Sequence, residues 1–371
     1  MPVPSLPAAL FTWTSFARMT PPQPFSSFIR TTGYRLRPPR PLPHAATVTR
    51  FRDAVLAEGN AEPRQLATLL CERRPGDRPT IVLGGFVPDA TEQVFLMRSL
   101  LLKSGSVYYF NYPPGGFSLD LLCAQIDDLV EELTLRRGVR PIVFSVSFGG
   151  GLLIEWMRRV RAAGRRPEVA GVVLVSPVAC AADVVDPAKP KAATLVGRAV
   201  KPYFDRGDSM DSASIERSRA IFAKMFESGV HNREAIRALM SAAESARLRQ
   251  NVLATIRRID FAGACERVRA LGRLEEPGAW IGAPGLPPLC DAPALILYAE
   301  NEASVITGNS PTRLALEEGH PALFPRGECR IVTGGASPVQ HGSLIFHYYQ
   351  FLPHVARFYR GLKTGKFRMA A

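Results

Sequence analysis

Short apolar runs alternate with amphipathic stretches along most of this chain. Gln65-Leu66-Ala67-Thr68-Leu69-Leu70-Cys71 reads as a strand, closed by a turn at Pro75-Gly76-Asp77. Pro79-Thr80-Ile81-Val82-Leu83 ends in Gly84-Gly85-Phe86, and Ser106-Val107-Tyr108-Tyr109-Phe110 ends in Pro113-Pro114-Gly115-Gly116. Apolar runs this short, rich in β-branched and aromatic residues and bounded by Gly and Pro, predict buried strands. Helices are predicted over 90–103 and over 120–137, the second with Leu121, Leu122, Ile126, Leu129, Val130 and Leu133 on one side. Residues 141–144 and 169–175 add strands on either side of a helix at 152–160. Further on, 294–298 and 330–332 read as strands, and 344–360 as a last helix with Pro353 as a point of kinking. Buried strands alternating with such helices require crossover connections. The predicted fold class is therefore α/β, a mostly parallel sheet covered by helices on both faces.

Between residues 181 and 288 the strand pattern stops. Charged helical stretches follow at 214–227, 232–240 and 241–259, the last opening with Ser241 and Glu244 at capping-box spacing. A Gly/Pro-rich connector covers 277–288. Because sheet pattern flanks this region, it reads as a helical cap inserted at the carboxyl edge of one sheet; an independent helical domain is the alternative. The division is a tail at 1–45, core at 46–180, cap at 181–288 and core again at 289–371.

Composition changes this picture mainly at the N-terminus. The 371 residues are 46% hydrophobic, enough for a substantial core. No apolar segment approaches the ~20 residues that cross a bilayer. The net charge of +13 invites a nucleic-acid reading, but seven arginines precede the first acidic residue, Asp53. Over half the excess charge thus belongs to a leader, and no nucleic-acid partner is expected. Ten prolines before residue 45 disfavour helix there and predict extended or disordered backbone. The acid-free, Arg-rich leader leaves organelle targeting open beside a cytoplasmic location, and Met19 is an alternative start. Its aromatics, Phe11, Trp13, Phe16, Phe25 and Phe28, allow weak contact with an anionic membrane. Six scattered cysteines without C-x-x-C spacing read as reduced thiols. No metal and no organic cofactor is implied.

The chemistry is concentrated in Val143 to Gly151, VFSVSFGGG, where an apolar run ends in Ser147 between small residues and glycines. Helical spacing resumes directly afterwards, so Ser147 occupies the apex of a tight strand–turn–helix. In parallel sheets, groups beyond the carboxyl ends of strands meet ligands. A serine hydroxyl is a weak nucleophile at neutral pH. It needs a histidine to take its proton, a carboxylate to orient that histidine, and N–H donors for the developing oxyanion. The turn itself needs small residues two before and two after the serine. Ser145 and Gly149 supply them, as S-x-S-x-G. No G-K-[ST] or G-x-G-x-x-G pattern follows, which sets a phosphate loop aside.

From about residue 65 to the last helix, the chain resembles the α/β-hydrolase fold, with Ser145 a departure from that fold's usual glycine. The resemblance implies a serine hydrolase with nucleophile, acid and base in that order along the chain. Its acid is commonly an Asp three residues after a small residue at the end of a late strand. In Tyr298-Ala299-Glu300-Asn301-Glu302 this puts Glu302 in the acid's place, with Glu300 as rival. His341, after the last strand and before the last helix, takes the base's place. His44, His231, His320, His347 and His354 suit it less well. The oxyanion donors implied are the backbone N–H groups of Phe148 and of Phe86, in a loop where similar enzymes carry His-Gly-X and this chain has Gly84-Gly85-Phe86. The implied substrate is an ester or thioester. Phe222, Met225, Phe226, Leu239 and Met240 in the cap suggest an apolar acyl pocket. An acyltransferase with the same residues, or a catalytically silent binding scaffold, remains open.

Overall fold

The computed structural model describes residues 40–41, 48–186, 189–206, 209–229, 242–281, 286–334 and 338–365. Nearly all of the predicted tail, with Met19, lies outside the described residues, as do the helix expected at 232–240 and its Leu239 and Met240.

Eight strands form one sheet: β1 (Arg40–Pro41), β2 (Thr68–Glu72), β3 (Thr80–Leu83), β4 (Val107–Asn111), β5 (Ile142–Val146), β6 (Gly171–Val175), β7 (Ala294–Ala299) and β8 (Gly327–Val332). Their order is β1-β2-β4-β3-β5-β6-β7-β8. β1 and β2 run antiparallel at one edge, and β4 to β8 are all parallel. Every residue of β3, β5, β6 and β7 is buried. That is why these strands read as unbroken apolar runs and not as alternating ones.

The helices outside the β6–β7 segment begin with α1 (Arg50–Ala57), α2 (Ala90–Gln93), α3 (Arg98–Leu101), α4 (Leu119–Glu131) and α5 (Phe148–Ala162). Between β6 and β7 come α6 (Leu195–Arg206), α7 (Ser212–Gly229), α8 (Ala242–Arg258), α9 (Phe261–Arg273) and α10 (Pro277–Ile281). The chain closes with α11 (Pro311–Leu323) and α12 (Tyr348–Thr364). On one sheet face, Ile81, Leu83, Val143, Val172 and Leu174 pack with Ile126 of α4 and Trp156 and Met157 of α5. On the other, Val82, Phe144, Val173 and Leu297 pack with Leu101 of α3 and Phe351, Val355 and Phe358 of α12. Alternate residues of each strand feed opposite cores, as the period of two requires.

Several elements depart from the sequence reading, each for a tertiary reason. The strand expected over 65–71 begins at Thr68, because Pro63–Gln65 forms a single 3₁₀ turn. The helix expected over 90–103 is two short ones. Val94, Leu96, Met97 and Arg98 are all buried between and within them, a run no single helical stripe could bury. The helix expected from 152 starts at Phe148, the glycines being its first turn. The connector expected over 277–288 opens as α10. The last helix starts at Tyr348 and not at 344, since Leu344, Ile345 and Phe346 leave the helical path to line a cavity. Helices α1, α6, α9 and α11 were not legible as such. No described helix is long and apolar enough to cross a membrane.

Candidate active site

Ser147 follows β5 at the middle of the sheet. Its backbone is held at φ +53°, a left-handed conformation that non-glycine residues seldom adopt. Ser147 N–H donates to Val175 O at 2.9 Å, while its carbonyl accepts from Gly150 N–H at 2.8 Å and Val178 N–H at 3.1 Å. The turn is thereby over-determined, as a strained residue must be to persist. A Cβ on Gly149 would lie 2.4 Å from Gly84 O, so only glycine lets α5 approach β3 this closely. The serine at 145 is buried with its hydroxyl satisfied: it donates to Val173 O at 3.1 Å on the neighbouring strand.

His341 and Glu302 arrive at Ser147 from two loops that run side by side. Asn301 and Gln340 form an isolated parallel bridge beyond β7 and β8, and Asn301 N–H donates to Val339 O at 3.0 Å. The next residue on each loop is Glu302 and His341. His341 Nε2 lies 2.9 Å from Ser147 Oγ, and His341 Nδ1 is hydrogen-bonded to Glu302 Oε2. Glu302 is only 3% exposed, and its other oxygen accepts from Ser176 Oγ and from Ala299 N–H, both at 2.7 Å. Burial alone would raise the pKa of this carboxyl. The electrostatic attraction and hydrogen bond of His341, with the bonds from Ser176 and Ala299, outweigh it and hold the pKa below the usual value.

The rival Glu300 does something different. Its Oε1 accepts from Gly334 N–H at 2.7 Å and Val339 N–H at 2.8 Å, tying down the loop that carries His341. The other histidines lie elsewhere: His320 bonds Leu316 O within α11, and His347 is buried against Ser343 with its pKa lowered by desolvation. Burial also lowers the pKa of His354. His44 and His231 are outside the described residues.

The loop after β3 runs directly against the turn at Ser147: a Cβ on Gly85 would sit 3.3 Å from Ser147 Cβ. Phe86 and Phe148, whose N–H groups are the candidate donors, have ring centroids 4.9 Å apart. Phe148 is the first residue of α5, so its N–H has no acceptor within the helix. Among the described residues the Phe86 N–H has none either.

No known family's sequence pattern matches this chain, and no curated protein does. Solved structures do match. A thermophilic esterase from Thermogutta terrifontis superposes with a TM-score of 0.52 at 15% identity, covering 80% of this chain and 94% of that one. A bromoperoxidase from Bacillus anthracis gives 0.51 at 17%, covering 79% and 96%. MenH from S. aureus gives 0.51 at 13%, covering 80% and 98%. The fold is that of the α/β hydrolases.

Within that α/β-hydrolase fold, Ser147, His341, Gly342 and Phe86 border a cavity of about 190 Å³. Its roof comes from the β6–β7 segment, through Phe222, Met225 and Phe226 of α7, Val252 and Ile256 of α8, and Leu271 of α9. No Asp, Glu, Lys or Arg among the described residues lines it. Nor do the described residues hold a His/Cys/Asp/Glu cluster suited to a metal ion. The six cysteines are in no disulfide, and five are buried.

Four neighbours of the site carried no recognisable signal in the sequence. Ser176, at φ +45°, bridges Glu302 and, by accepting from Gly342 N–H at 3.1 Å, the histidine loop. Gln93, Tyr112 and Arg267 brace the Gly84–Phe86 loop from three directions. Gln93 and Arg267 lie on helices whose pattern concerns only packing, and Ser176 and Tyr112 directly follow strands of which the same is true.

Proposed function

We propose that this protein is a serine hydrolase that cleaves a carboxylic ester or thioester with an apolar, uncharged acyl part through an acyl-enzyme. The observation that carries this reading is the continuous relay from Ser147 Oγ through His341 to Glu302, on a strained turn beside two N–H groups that have no partner among the described residues.

Ser147 Oγ attacks the substrate carbonyl carbon as His341 Nε2 takes the hydroxyl proton. The carbonyl oxygen becomes an oxyanion facing the Phe86 and Phe148 N–H donors. Each such donor is worth about 3 kcal/mol of transition-state stabilisation. Glu302 keeps Nδ1 protonated and stabilises the imidazolium. The imidazolium then protonates the leaving alcohol or thiol as the tetrahedral intermediate collapses. Water, deprotonated in turn by His341, releases the carboxylic acid and restores Ser147.

The acyl preference rests on the cavity lining. Placing a charged acyl group against a wall without a counter-ion carries a large desolvation cost. An apolar cavity of ~150 Å³ takes up benzene, so about 190 Å³ suits an aromatic or medium-length aliphatic acyl group.

A fluorophosphonate probe and a panel of p-nitrophenyl esters of increasing chain length test this. Labelling of wild type but not of Ser147→Ala, with turnover of neutral apolar esters over succinyl or malonyl ones, is the expected result. Labelling with turnover only when an alcohol or amine acceptor is added would reassign the protein to acyl transfer. Absence of labelling would leave a silent binding scaffold.

A further inference from the structure

Arg267 projects from α9 into the protein interior and is 3% exposed. Among the described residues no carboxylate lies within ion-pairing distance of it; its partners are backbone carbonyls. Nη1 donates to Phe86 O at 2.8 Å, and Nη2 to Pro113 O at 3.1 Å and Tyr112 O at 3.3 Å. The guanidinium also stands 5.6 Å from the Tyr112 ring centroid, and Nε has no hydrogen-bond partner among the described residues. Burial without a contacting counter-ion lowers its pKa to about 10, despite Asp89, Tyr112 and Asp260 pulling the other way. A buried cation held this way is expensive, and a well-packed apolar side chain would serve stability at least as well. What the guanidinium supplies is position.

The peptides of the loop after β3 show what is being positioned. The peptide joining Gly84 to Gly85 is held at both ends: its carbonyl accepts from Tyr112 Oη at 2.8 Å and its N–H donates to Gln93 Oε1 at 2.7 Å. The peptide joining Phe86 to Val87 is held through its carbonyl by Arg267. Between them lies the peptide that bears the Phe86 N–H, which has no partner of its own among the described residues. Its orientation is therefore set by its two clamped neighbours. One clamp belongs to the α/β core and the other to the segment inserted between β6 and β7.

We infer that Arg267 is a positioning residue for the Phe86 N–H oxyanion donor, so that the inserted helices complete the reaction centre as well as roofing the substrate cavity. This rests on the serine-hydrolase reading above. Misplacing a reacting group by about 1 Å from a remote mutation costs up to a hundredfold in rate, and losing a donor outright costs 10²–10³. A carbonyl clamp should fall at or below the first figure.

The test compares full-length wild type with Arg267→Met and Arg267→Lys. Three quantities are read: steady-state hydrolysis of a neutral p-nitrophenyl ester, inhibition by a trifluoromethyl ketone whose hemiketal oxygen occupies the oxyanion position, and hydrogen exchange of the peptide covering residues 84–88. Arg267→Met is expected to lower kcat about ten- to a hundredfold with KM within about threefold. Ketone affinity should fall in parallel with kcat/KM, and exchange in the loop should quicken. Arg267→Lys, which reaches one carbonyl but not three, should lie between, and it carries the test if the methionine variant does not fold. Unchanged kcat and ketone affinity in folded variants overturn the inference, whether or not exchange quickens, because the clamp would then be structural only. A wild type that neither hydrolyses esters nor takes up a fluorophosphonate overturns it differently, by removing the reaction it serves.

Discussion

Exchanging Glu302 for glutamine isolates the electrostatic part of the proposed mechanism with little change of shape. The carboxylate is 3% exposed and spends one oxygen on Ser176 Oγ and Ala299 N–H, the other on His341 Nδ1. In Glu302→Gln the amide oxygen can keep the first two bonds. The amide nitrogen is then left facing Nδ1 and can only donate to it. Imidazole must respond with the tautomer that carries its proton on Nε2, the atom 2.9 Å from Ser147 Oγ that should accept the hydroxyl proton. In serine proteases the equivalent carboxylate-to-amide exchange costs about ten-thousandfold in kcat, or about 5.5 kcal/mol at 1.36 per decade. The oxyanion donors are untouched here, so kcat should fall about 10³–10⁴ with KM little changed. Glu300→Gln is the internal control. Its oxygen accepts two backbone N–H groups and can still do so as an amide, so the loss should stay within about tenfold. Stability offers a second readout. Because the folded-state pKa of Glu302 is depressed, its charge stabilises the fold above the unfolded value, and that contribution is lost as pH falls through the folded one. The stability gap between wild type and Glu302→Gln should therefore narrow in acid. A Glu302→Gln enzyme within tenfold of wild type on p-nitrophenyl esters, beside a Glu300→Gln enzyme crippled a thousandfold, would refute the assignment.

Gly149→Ala places a methyl 2.4 Å from Gly84 O and 2.6 Å from Leu83 O, backbone atoms that cannot turn aside. It should destabilise by about 1–3 kcal/mol in urea titrations and reduce kcat as α5 and the oxyanion loop separate; wild-type behaviour in both would contradict the close approach described. Glu92, in α2, has its pKa raised to about 7, first by burial and then by the charge of Asp89, while Thr255 and Arg258 of α8 pull it down. The folded state then keeps a proton that the unfolded chain releases above the ordinary value of 4.5, so stability falls as pH rises from about 5 to about 8. At 1.36 kcal/mol per pKa unit this amounts to about 3 kcal/mol over the full range. Urea unfolding of Glu92→Gln across that range should show a flatter profile, and an unchanged slope would rule the group out.

The strands and the tight turn that follows β5 were legible because their causes are local. A strand buried on both faces must be apolar throughout, and Ile142–Val146 and Gly171–Val175 are. The turn at Ser147 needs small residues at fixed offsets, and Ser145 and Gly149 stand there. The approach of His341 to Ser147 agrees with its place in the chain after the last strand. The choice between Glu300 and Glu302 was not local, since both follow β7 within three residues. Which of the two meets His341 depends on the Asn301–Gln340 bridge, which sets the residues after it side by side. The late start of α12 depends on what Leu344 to Phe346 line, and the roof of the cavity on which helix faces meet the core. Arg267 reaches the Phe86 loop across 181 residues of chain. Backbone period and turn sterics are written into neighbouring residues and can be read from them. Contacts between distant residues exist only once particular faces have packed together, and that packing alone brings Ser147, His341, Glu302 and the clamped loop to one rim of the sheet.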